Sequence, residues 1–204
     1  LNAFTKQPSG FFKESKLFVG AKKNAIRACI LTDNSVNAWQ INQFCNNDMV
    51  TIGIKNDNIS ITYILCSLYM PYEQRPPPGN LAVELERYCK TKGWKLLICS
   101  DANSHSCLWG SSDDNERGVE LADWVLSSDL HICNKGNDPT FFNSIREEVI
   151  DVTLCSTNMV DYIENWHVSK DTTFSDHNRI EFGLIVNMNV NNLNQVYRNV
   201  RKTD

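Results

Sequence analysis

The chain has 204 residues, 42% of them hydrophobic and 22% charged, the composition of one globular domain with room for a real core. No apolar run approaches the length of a membrane span, and the opening Leu1-Asn2-Ala3-Phe4-Thr5-Lys6 lacks the apolar centre of a signal peptide. A net charge of −4 speaks against a generally basic surface, although a local basic rim can coexist with an acidic total.

Taken in chain order, residues 25–31 read as an apolar strand. Residues 49–54 and 59–70 read as two more, separated by Lys55-Asn56-Asp57-Asn58, which has hairpin-turn chemistry. Pro76-Pro77-Pro78-Gly79 breaks the chain, and residues 81–92 follow as an amphipathic helix with Leu81, Leu85 and Tyr88 on one side. A buried strand is predicted over 94–100, a helix over 118–127, a short strand over 130–133, and further strands over 149–155, 165–169 and 179–186. Strands alternating with helices point to a layered α/β fold. Residues 1–186 are expected to form the domain, and the Asn-rich 187–204 a linker or tail.

The eight cysteines are spread along the chain without a C-x-x-C or zinc-ligand spacing. Cys29, Cys66, Cys99 and Cys155 fall inside apolar runs and are expected to be small buried thiols rather than a disulfide framework. The sequon Asn58-Ile59-Ser60 is read as accidental.

Polar groups gather where predicted strands end. Tyr69 closes one strand, and Asp101 and Asn103 follow another. Asp151 and Thr153 open a third, and Asp176-His177 leads into the last. Two residues apart in extended backbone, Asp101 and Asn103 are expected to point the same way, as are Asp151 and Thr153. Each group has a plainer reading. Tyr69 could be a core aromatic, Asp101 the head of an Asx-type turn, Asp151 a structural pair, and His105 an exposed loop residue. Together they suit a cavity in which carboxylates hold a cation and an imidazole moves a proton.

The set Ser67-Leu68-Tyr69-Met70-Pro71, Cys99-Ser100-Asp101-Ala102-Asn103, Ile150-Asp151-Val152-Thr153-Leu154 and Ser175-Asp176-His177 resembles the endonuclease/exonuclease/phosphatase superfamily, the deoxyribonuclease I-like fold. The wording Leu108-Trp109-Gly110-Ser111, Asn115-Glu116-Arg117-Gly118, Asn137-Asp138-Pro139-Thr140-Phe141 and Asn165-Trp166-His167-Val168-Ser169 narrows this to the endonuclease domain of insect-type non-LTR retrotransposons. The likeness runs from about Ala25 to Ile185. It implies an α/β/β/α sandwich of two mixed sheets flanked by helices.

It also implies roles at the matching positions. His177 exchanges a proton at the reacting phosphate, and Asp151 orients it. Asp176 helps hold a divalent metal, Mg2+ or Mn2+. Asp101 and Asn103 position water and phosphate, Tyr69 donates to a phosphate oxygen, and Ser175 and Thr153 support. The implied partners are double-stranded DNA, for which 135–143 is a candidate contacting loop, and the reverse transcriptase domain of the same polyprotein; the implied compartment is the nucleus. The family's opening strand–helix–strand, with its Asn and metal-binding Glu, has no counterpart in this sequence, so the chain is expected to begin just after that Glu. Two other readings stay open: a remnant that folds or binds DNA without cleaving, and a relative acting on abasic-site DNA or on a lipid or inositol phosphate.

Overall fold

A computed structural model describes residues 15–20, 25–55, 62–74 and 76–185. In chain order its regular elements begin with β1 (Ser15–Val19), β2 (Cys29–Asp33), β3 (Ala38–Gln40), β4 (Met49–Lys55), β5 (Thr62–Tyr69), α1 (Asn80–Lys92) and β6 (Lys95–Asp101). They continue with α2 (Glu116–Ser127), β7 (Leu130–Ile132), β8 (Phe141–Phe142), β9 (Glu147–Glu148), β10 (Asp151–Ser156), β11 (Ile163–Val168) and β12 (Ile180–Leu184).

The central sheet has six strands in the spatial order β3-β4-β5-β6-β10-β7. Only β5 and β6 are parallel within it, and α1 supplies the crossover that such a pair requires. The strands β1 and β2, β8 and β9, and β11 and β12 form three antiparallel ribbons.

Alternation along the central strands sends side chains to two cores. Ile64, Cys66, Leu68, Leu96, Ile98, Val152 and Leu154 face α1 and α2, meeting Leu85, Cys89, Leu121 and Val125. Tyr63, Leu97 and Cys155 face the other way and pack with Met159, Tyr162, Ile163, Phe182 and Leu184, beneath the β11–β12 ribbon. The described residues therefore stack as helix, sheet and second sheet, in the mixed α/β fold expected.

Helix ends follow local chemistry. Gly93, at φ 66, takes the left-handed conformation that stops α1, and its N–H reaches back to the carbonyls of Cys89 and Lys90. Asn115 caps α2 by accepting from the Gly118 N–H at 2.7 Å, so the helix starts at Glu116 rather than Gly118. A Cβ on Gly118 would stand 1.6 Å from the His105 carbonyl oxygen, which explains glycine where this helix meets the 105 loop.

Several elements escaped the sequence pattern. β1, β3 and the β8–β9 ribbon are short, and β1 has no clean alternation of burial. The first predicted strand moves to Cys29–Asp33, since Arg27 and Ala28 instead donate their N–H groups to the Asn47 carbonyl. Cys99 is exposed rather than buried, because it lies on the β6 face that opens into a cleft; Cys66 and Cys155 are buried as expected and Cys29 is partly so. The turn residues Asn56, Asp57 and Asn58, the sequon and the 187–204 tail lie outside the described residues. No described helix is long and apolar enough to cross a membrane.

Candidate active site

Strand register brings distant residues into one row. Tyr69 is the Cα partner of Asp101 across β5–β6, and Asp101 is the partner of Asp151 across β6–β10. Register partners project from the same face of a sheet. That face is the one carrying Leu97 and Cys155, so the row sits where the interface between the two sheets opens to solvent. One step deeper, Ser67, Cys99 and Thr153 form the next row. Both rows, with Arg27, Ile180 and Phe182, line a cleft of about 280 Å³. Thr153 is buried and accepts the Trp166 indole N–H at 3.0 Å, which ties β11 to β10 beneath the site.

His177 reaches this row from the loop before β12. Its Nδ1 lies 2.8 Å from Oδ2 of Asp151, and its Nε2 lies 3.8 Å from Oδ2 of Asp101. Ligand-capable atoms of Asp101, Asp151 and His177 all fall within 4.8 Å of one another.

The loop is held from both sides. The Thr173 hydroxyl is 2.9 Å from the carbonyls of both Ser175 and His177, and the Ser175 hydroxyl accepts the His177 N–H at 3.1 Å. The Phe142 N–H donates to the Asp176 carbonyl at 2.8 Å, and the Asn178 N–H to the Thr140 carbonyl at 2.7 Å. The Phe141 ring stands edge-on to the imidazole, centroids 5.0 Å apart. Part of the segment 135–143 therefore runs directly against the histidine loop.

Thr140 has a second task. It is fully buried, and its hydroxyl accepts the N–H groups of Ile150 at 3.1 Å and Asp151 at 3.0 Å. Thr140→Val keeps the shape and removes that acceptor. Leaving these two N–H groups unpaired is expected to cost about 2 kcal/mol in urea denaturation, with Thr140→Ser recovering most of it.

The electrostatics follow from the row. Burial, and then the charge of Asp151, push the Asp101 carboxyl up to about 6. The hydrogen bond to Asp151 raises His177 above its ordinary value; burial opposes this, and the charges of Asp151, Asp101 and Asp176 add to it. A group with a raised folded pKa stabilises the fold fully below its unfolded value, about pH 6.5 for histidine, and loses that contribution as pH rises through the folded value. The stability gap between wild type and Asp151→Asn is therefore expected to be widest below about pH 6.5 and to narrow above it. An NMR titration of His177 in the variant should show its pKa lowered.

The remaining expected residues fall less centrally. Asp176 is exposed and outside the three-residue group, near His177 only as a charge. Asn103 does not share the row of Asp101. Its φ is 46, a left-handed conformation that asparagine tolerates, so the chain has already left the extended state. Its side chain donates to the Met70 carbonyl at 3.2 Å, and its N–H lies 3.3 Å from Asp101 Oδ1, an Asx-type turn. His105 is half-buried, 2.9 Å from Asp113 and 3.4 Å from Glu148.

Sequence alone does not mark Thr140, Phe141, Thr173, Arg117 or Arg27 as site residues. Thr140, Phe141 and Arg117 fall within the quoted motif wording, but nothing in the sequence marked them as supports of the site. The donor set suits a divalent cation: burial, and then the neighbouring charge of Asp151, disfavour an ionised Asp101, and a cation held between the two partly buried carboxylates would favour it.

The sequence matches the endonuclease–reverse transcriptase family over residues 63–181. The fold is similar to the endonuclease domain of TRAS1, a telomere-specific non-LTR retrotransposon, at 31% identity and a TM-score of 0.74, covering 85% of this chain and 81% of that one. Likeness of fold alone extends to an AP endonuclease from Leishmania major, with 10% identity, 76% and 65% coverage and a TM-score of 0.61. It extends also to a mannosyl-6-phosphatase from Bacteroides thetaiotaomicron, with 12% identity, 77% and 70% coverage and a TM-score of 0.50. Among proteins of curated function no match is found. The family match over most of the core, with the TRAS1 likeness across both chains, makes this chain a member of the endonuclease–reverse transcriptase family, within the endonuclease/exonuclease/phosphatase fold.

Proposed function

We propose that this domain is a metal-dependent DNA endonuclease of a retrotransposon polyprotein. In the nucleus it hydrolyses one phosphodiester of double-stranded DNA, and the freed 3′-hydroxyl primes synthesis by an adjoining reverse transcriptase domain. The observation carrying this reading is the convergence of Tyr69, Asp101 and Asp151 in one row, with His177 2.8 Å from Asp151.

Each residue has a task that suits its surroundings. Asp151 accepts from Nδ1–H of His177, which fixes the tautomer and leaves Nε2 facing Asp101 and the cleft. From there Nε2 can take a proton from water or return one to a leaving oxygen. Asp101 orients the water, and the Tyr69 phenol donates to a phosphate oxygen. The Asn103 amide, held on the Met70 carbonyl, shapes the wall beside Asp101. Holding water and phosphorus in reach of one another contributes as much as the proton transfer itself. Asp101 and Asp151 would hold a Mg2+ or Mn2+ ion, with Asp176 adding charge at the rim, and the ion would neutralise charge on the phosphate.

Supercoiled plasmid tests the proposal. The purified chain should convert it to open circles with Mg2+ or Mn2+, and EDTA should stop the conversion. Absence of nicking with either metal overturns the endonuclease reading, and nicking undiminished by EDTA overturns the metal requirement.

A further inference from the structure

Arg27 lies just ahead of β2 and is the one cation among the described residues that line the cleft. Its Nε and Nη2 meet the Asp48 carboxylate at 2.5 and 2.7 Å. Its guanidinium carbon sits 4.7 Å from the centroid of the Tyr69 ring. Asp48 is itself placed by the sheet, since its carbonyl accepts the Tyr69 N–H at 2.7 Å and its own N–H donates to Asn46 Oδ1 at 2.8 Å. Asp48, Arg27 and Tyr69 thus form one fixed unit beside Asp101.

The Nη1 edge of Arg27 makes no hydrogen bond among the described residues, and the side chain is 38% exposed. A guanidinium can serve two anions at once through different edges of its planar fork, which an ammonium cannot do with the same geometry. A phosphodiester entering this cleft meets two carboxylates, Asp101 and Asp151, and one cation.

We propose that Arg27 grips a non-bridging phosphate oxygen of the DNA through its Nη1 edge, next to the Tyr69 phenol, while Asp48 holds the other edge. This rests on the endonuclease reading above. It makes Arg27 a substrate-contacting residue and Asp48 a positioning residue.

The test uses the whole chain. Binding of a short fluorescent DNA duplex is followed by anisotropy in EDTA over a range of salt, and plasmid nicking is measured with Mg2+. Loss of one phosphate contact in Arg27→Gln should reduce the slope of log affinity against log salt by about 0.9. It should also lower the nicking rate by about a hundredfold to a thousandfold. Arg27→Lys should keep the slope yet nick more slowly than wild type, since it cannot clamp Asp48 and phosphate together. Asp48→Asn should likewise slow nicking.

A wild-type salt slope and wild-type rate in Arg27→Gln overturn the proposal. If Arg27→Gln fails to fold, a wild-type rate in Arg27→Lys does the same. If the wild-type chain does not nick, the endonuclease reading falls, and the salt slope alone decides whether Arg27 touches phosphate.

Discussion

Replacing His177 by Ala is expected to lower plasmid nicking by about a thousandfold, within the range that a positioned acid–base group contributes. The fold should survive the change. The imidazole side chain is 32% exposed and meets the Phe141 ring in a T-shaped contact. The loop around it is held by backbone contacts to Phe142 and Thr140 and by the Thr173 hydroxyl, none of which needs the ring. Asp151→Asn should lower nicking by about a hundredfold, because an amide no longer selects the tautomer that leaves Nε2 free to accept a proton. Melting temperatures serve as the control. A His177→Ala protein that melts and nicks like wild type would remove the proton-exchange role from this residue.

The second large effect falls on stability. Arg117 is 1% exposed, and its guanidinium donates to the carbonyls of Asn103 at 3.1 Å, Tyr72 at 3.2 Å, Gln74 at 2.6 Å, Met70 at 3.4 Å and Ala102 at 3.3 Å. One side chain from the first turn of α2 therefore fastens the segment after β5 to the segment after β6. Arg117→Met fills much of the volume but leaves those acceptors without their donor. The expected cost is about 3–5 kcal/mol in urea denaturation, the size measured when one member of a buried polar cluster is removed. Lysine should recover little, since a single ammonium cannot reach carbonyls arranged around a planar fork. Nicking should fall as well, because Met70 and Asn103 adjoin Tyr69 and Asp101. A loss below about 1 kcal/mol would mean that the two segments hold their shape without the guanidinium.

The long strands β4, β5, β6 and β10 and both helices follow from apolar periodicity, because each buries at least one face continuously and the pattern records that burial. β3 and the β8–β9 ribbon leave no such record: two or three residues held by neighbours impose no period. Cys99 and Asn103 expose the limits of local inference. The apolar run around Cys99 says strand, but only the opening between the two sheets leaves that one position facing a cleft. The spacing of Asp101 and Asn103 suggests a shared direction, but the φ of 46 at Asn103 turns the second side chain to the Met70 carbonyl.

The chemical groups of the candidate site were legible by themselves: a phenol, carboxylates and an imidazole at strand ends, in the order and wording of a known family. Their assembly was not. Strand register sets Tyr69, Asp101 and Asp151 side by side, and register is a property of paired chains. The supports Thr140 and Arg117, and the cation Arg27, act on backbone or side chains in other elements, from about ten to more than forty residues away, so no local pattern announces them. Residue identity is carried by the sequence, while distance, burial and the electric field at each group arise only when separate segments pack together.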